Sequence, residues 1–182
     1  MTGLDPKRVR QVFDSCERLI EKRWGIPVSI NDVPSPFTGD LDGAKIHVDY
    51  DLEIEDALFI LLHLFGHTVQ WNVSPEAREI AFFKPAAGEA WPPEKLVAVA
   101  AYEGQACQYS LQLLHDAGVH DLDQWVADFA ACDVAYLMHF YRTGEKRPFR
   151  EFWRDGAPVL PPAAIPDFHP TAWLSRSDGT VV

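Results

Sequence analysis

The sequence predicts an α+β domain, mainly helical with a small β-sheet. Four long stretches place apolar residues at three- and four-residue steps, and three short ones read as strands. A length of 182 residues suits one domain with a sizeable core. The expected organisation is therefore a single domain over 1–182, with a Pro-rich segment, 156–182, packed on it.

The first helix opens at Asp5-Pro6, with Asp5 as N-cap and Pro6 at the first helical position. Val9, Val12, Phe13, Cys16, Leu19, Ile20 and Trp24 give it one apolar face, and Gly25-Ile26-Pro27 ends it. Val28 to Val33 is a short strand candidate, and 34–43 is rich in turn residues. In the next strand Ile46, Val48 and Tyr50 alternate with Lys45, His47 and Asp49. His47 lies on the polar side and is expected to be exposed.

Acidic residues from Asp51 to Asp56 complement the dipole of a second helix. That helix, Leu58 to Trp71, is apolar nearly all round and reads as buried. A long connection, Asn72 to Pro93, follows, with a helical turn expected over 76–83. A connection of that length suits the rim of a site, and Trp71 and Trp91 flank it as pocket-lining candidates.

The third helix runs from Glu94 to His115 on Leu96, Val97, Val99, Ala100, Cys107, Leu111 and Leu114. Gly104 interrupts it at a cost of about 1 kcal/mol against alanine, which implies close packing there. Asp121 is the expected cap of a fourth helix, which reaches about Tyr141 and stops at Thr143-Gly144. The Pro-rich end carries a strand-like Ala172–Ser175 and an Asp178-Gly179 turn. The Val28, Lys45 and Ala172 segments are the expected sheet.

Composition narrows the function. With 47% hydrophobic and 24% charged residues, the chain falls among globular and not disordered proteins. A net charge of -11 argues against a sequence-independent grip on nucleic acid and against docking on an anionic membrane. The N-terminal residues lack an apolar h-region, so no signal peptide is expected. Three widely spaced cysteines fit reduced, packed thiols and a cytoplasmic setting.

The chemistry concentrates in Leu58–Trp71. His63 and His67 are four apart and share one helix face, where two neutral imidazoles can bind one metal ion. A catalytic metal needs a third protein ligand. Glu103 is the candidate: it sits mid-helix among apolar and small residues, where a carboxylate needs a partner. Asp133 and His139 are polar among apolar neighbours on the fourth helix. They can orient the ligands, but for Asp133 the expectation is a solvent-facing position or a local cap.

At these residues the chain resembles a known family. A strand, an acidic helix start, Phe59-Ile-Leu-Leu-His63-Leu-Phe-Gly66-His67, and then Glu103-x-x-Ala106-x-x-Tyr109-Ser110-x-x-Leu113-Leu114 look like the ImmA/IrrE metallopeptidases. The likeness covers roughly residues 44 to 115, about two-fifths of the chain. It implies a zincin-like fold with the metal between the second and third long helices, and His63, His67 and Glu103 as ligands. Zinc is the implied ion.

One position departs from the family. Leu64 stands where the pattern His-Glu-x-x-His carries the glutamate that activates water. Losing such a base costs about two to four orders of magnitude in rate. Substitute candidates are Tyr102, Gln70 and His169, with Glu79 and Glu89 from the connection. The readings that follow are a metal-dependent enzyme acting on a small molecule or peptide and a catalytically inactive metal-binding protein with a protein partner. A third is a two-His, one-carboxylate iron(II) enzyme, whose chemistry needs no adjacent glutamate.

Overall fold

The computed structural model describes residues 4–34, 37–174 and 180–181. In chain order it contains α1 (Pro6–Trp24), β1 (Val28–Asn31), β2 (Gly39–Leu41), β3 (Ile46–Asp49), α2 (Ile54–Val73), α3 (Pro75–Ala81), α4 (Pro93–Asp116), α5 (Asp123–Thr143), a short 3-10 turn at Phe149–Phe152, and β4 (Thr180–Val181). The fold is α+β and mainly helical.

Helix α1 begins and ends where its residues dictate. The Asp5 carboxylate accepts from the Lys7 N–H, and Gly25 closes the helix at φ 68, donating its N–H to the Glu21 carbonyl. Its face of Val9, Val12, Phe13, Cys16 and Ile20 is buried against α2.

Helix α2 is the centre of the molecule. Every residue from Ala57 to Trp71 is buried, because α1, α3, α4, β2 and β3 all pack on it. A helix enclosed in this way is apolar all round, which accounts for its sequence.

The sheet runs β1-β3-β2-β4. Strand β1 is parallel to β3, while β2 is antiparallel to both β3 and β4. Strand β2 lies in the stretch read as turns. Its pairing makes β3 an interior strand, with His47 between Ser29 and Asp40. His47 is consequently buried, contrary to the exposure its alternation predicts.

Other expectations change where tertiary packing decides. Val97 is 71% exposed, so the apolar face of α4 excludes it. A Cβ added to Gly104 would meet only Leu160, at 3.8 Å; the close approach is at Gly66 instead. Helix α5 starts at Asp123 with Leu122 in the cap position, and Asp121 bonds Arg8. Residues Ala172–Leu174 are not a strand; the sheet gains Thr180–Val181. Ser175 and the Asp178-Gly179 turn lie outside the described residues.

The Pro-rich end is fastened to the helices. The Ala163 N–H donates to the Gln108 carbonyl, and Gln108 Nε2 donates to the Pro161 carbonyl. Thr171 N and Trp173 Nε1 both donate to Asn72 Oδ1 at the end of α2. Among the described residues no helix is long and apolar enough to cross a membrane.

Candidate metal centre

Two helix faces meet to build the site. On α2, His63, Gly66, His67 and Gln70 recur at helical spacing; on α4, Glu103, Ala106 and Ser110 do the same. The helices touch at Gly66, where a Cβ would fall 2.3 Å from the Ala106 carbonyl oxygen. Ser110 Oγ donates to the Leu62 carbonyl at 2.8 Å and ties the pair one turn further along. Glycine at 66 is therefore required by the approach of α4, and that approach carries Glu103 to the histidines.

The donor atoms converge. His63 Nε2 and His67 Nε2 are 2.9 Å apart, and Glu103 Oε2 lies 3.3 Å from the first and 3.1 Å from the second. Metal bonds of about 2.0–2.1 Å in a tetrahedral arrangement separate ligand atoms by roughly 3.3 Å. The three residues form a buried group able to hold a metal ion. Glu103 Oε2 makes no hydrogen bond of sound geometry, although both imidazole Nε2 atoms lie beside it. A cation satisfies that arrangement.

The tautomer of His67 follows from its partners. The Tyr102 carbonyl can only accept, so the Gln70 atom 2.8 Å from it is the amide nitrogen, which also donates to Gln105 Oε1. Gln70 Oε1 therefore faces His67 Nδ1, at 2.8 Å, and accepts its proton. Nε2 of a neutral His67 is then a bare lone pair directed at Glu103 and His63. This is the way outer hydrogen bonds commonly prepare an imidazole for a metal.

Electrostatics agree with the geometry. Burial opposes a charge on His63, yet Cys107, Glu103 and Asp133 raise its pKa well above the ordinary 6.5. Burial would raise Glu103, but the neighbouring His67 and His63 hold it below its ordinary range. Asp133 moves the other way, raised by burial and by the nearby Glu103 charge against the pull of His63. A raised His63 beside a lowered Glu103 favours the ion pair, in the place that a cation could take.

Asp133 is the group that sequence reading misplaced. Its carboxylate does not face solvent: it is 6% exposed, with Oδ2 3.8 Å from His63 Nε2. The signal was present in its position three residues before Tyr136 and four after Phe129, both on the packed side of α5. His139 contacts Thr143 and Phe152 instead.

A cleft of about 650 Å³ reaches His67 and Glu103 between Trp71, Phe82, Trp91, Tyr102, Phe140 and Tyr141. The long connection does supply part of its rim, as α3 folds and Phe82 to Trp91 passes beside the opening. A second cavity of about 390 Å³ includes Asp133, Phe59 and Phe129, and Leu137 borders both.

Of the candidates considered for a base in place of Leu64, Tyr102 and Gln70 are at the site. The Tyr102 ring stacks on His67 at 4.5 Å, and its hydroxyl accepts from Trp71 Nε1 at 2.7 Å. Burial, with the Glu103 charge, keeps it a neutral phenol. Glu79, Glu89 and His169 are exposed and border neither cavity. Leu64 is wholly buried, beside Gly39 of β2. Comparison with family models, curated proteins and solved structures finds no match to this chain.

Proposed function

We propose that His63, His67 and Glu103 bind one divalent metal ion in a diverged, zincin-like enzyme related to the ImmA/IrrE group. It acts on a small-molecule or peptide substrate whose apolar, aromatic part enters the cleft. The single observation that carries this reading is the convergence of three buried donors from α2 and α4, with Glu103 Oε2 lacking a hydrogen bond. Zinc is the first expectation, and iron(II) suits the same donor set.

When bound, such an ion supplies Lewis acidity and lowers the pKa of water toward neutrality. The chain's own contribution is positional. Gln70 holds His67 in the ligating tautomer, the stacked Tyr102 ring restricts its rotation, and aromatic side chains line the adjoining cleft. Leu64 supplies no proton acceptor.

The test is metal content by mass spectrometry, together with competition against a chelator. Wild-type protein retaining one ion, with His63→Ala and Glu103→Ala folded but empty, supports the proposal. Wild type that binds neither zinc nor iron(II) overturns it.

The burial of Leu64 in the core favours one further reading, a metal-binding interaction protein without catalysis. An open metal position that accepts an external ligand separates the enzyme from that alternative, since structural zinc sites are closed by four protein ligands.

A further inference from the structure

The carboxylate of Asp133 has no role among the three donors. It comes from α5, a helix that contributes none of them. It is 6% exposed, and Oδ2 has no hydrogen-bond partner. His63 Nε2 lies 3.8 Å from it. A buried carboxylate without a partner costs several kcal/mol unless something fills its place.

Distance decides what that partner is. Atoms bound to one metal at about 2.1 Å are at most roughly 4.2 Å apart, even on opposite sides. Asp133 stands outside the group whose donors all lie within 4.8 Å of one another, so it lies beyond direct bonding to a metal shared by the three. It is near enough to His63 to hydrogen-bond a molecule held on that metal. Asp133 also lines the second cavity, which none of the three donors borders.

We infer that Asp133 is the positioning carboxylate for the open coordination position, accepting a hydrogen bond from a water or other neutral donor there and disfavouring anions. The inference rests on the metal site proposed above. It gives α5 the part that Leu64 cannot play from α2: a carboxylate beside His63, supplied from across the helix interface.

Cobalt(II)-substituted protein and azide test it. In the absence of azide, Asp133→Asn should keep the cobalt absorption spectrum and the metal content of wild type, since no ligand is lost. With the carboxylate charge removed, azide should bind roughly tenfold or more tighter, read from the spectral change on titration. Asp133→Ser provides a second neutral variant, and circular dichroism checks the fold of each.

If both variants alter the resting spectrum and release cobalt, Asp133 is a ligand and the inference is overturned. Unchanged azide affinity also overturns it, as does failure of both variants to fold with cobalt present, which would make Asp133 structural. If wild type itself takes up no cobalt, the metal site fails first, and that result is distinct from the other three.

Discussion

His67 donates its Nδ1 proton to Gln70 Oε1 at 2.8 Å, and the Tyr102 carbonyl, by accepting from the same amide, fixes which way that amide points. One glutamine on α2 thus joins the histidine face to the backbone of α4. Replacing it tests the arrangement. Gln70→Leu should keep the helix but lose the orientation of His67, weakening zinc binding about 10- to 100-fold in a competition titration. An unchanged affinity would show that His67 is held by packing alone.

Gly66→Ala should be strongly destabilising for a change that adds one methyl group. The new Cβ would meet the Ala106 carbonyl at 2.3 Å, and backbone cannot swing aside as a side chain does. A loss of about 1–3 kcal/mol in denaturant unfolding, or more, is expected. Zinc affinity should fall with it, because α4 must retreat and take Glu103 along. Gly104→Ala, with only Leu160 nearby at 3.8 Å, should be neutral or slightly stabilising.

Placing a glutamate at position 64, to give the pattern His-Glu-x-x-His, should not confer hydrolysis. Leu64→Glu would place a carboxylate in the core beside Gly39 and Ile60. Burial of an unpaired charge there should cost several kcal/mol, visible as a lower melting temperature. A stable variant that gains peptidase activity would show that side chain 64 can turn to the metal.

The pH dependence of the metal-free protein should run opposite to that of the metal-loaded form. His63 is raised, so its stabilising contribution is complete below its ordinary 6.5 and is lost as pH climbs through the folded value. Glu103 is lowered, so its contribution is present above its ordinary 4.5 and is lost as pH falls through the folded value. Asp133 is raised, so its burial in charged form costs stability as pH rises above its ordinary 3.8.

Together these place the cluster's greatest contribution near about pH 4 to 5, declining toward neutrality. Zinc binding releases protons from the ligands and should reverse the slope. Thermal unfolding between about pH 4 and 8, with and without zinc, measures both, and Asp133→Asn should flatten the metal-free decline. A metal-free protein whose stability rises toward neutrality, with no change in Asp133→Asn, would contradict the shifts at this cluster.

The sequence by itself determined what repeats along one element. Helix spacing placed His63, His67 and Gln70 on one face; the apolar setting of Glu103 marked a carboxylate in need of a partner; and the all-round apolarity of α2 announced its central place. Caps and glycines bounded α1 and ended α5. What crosses between elements was decided only by the tertiary structure. Alternation made His47 polar-facing, but pairing with β2 covered it. Gly104 and Gly66 are both glycines in helices, and only the approach of α4 shows which one makes room. Asp133 could be read as facing solvent from its own helix, and the packing of α5 turned it toward His63. Periodicity says which residues share a face, whereas the neighbour that covers the face is chosen by packing across long sequence separations, and the site's fourth polar group comes from that choice.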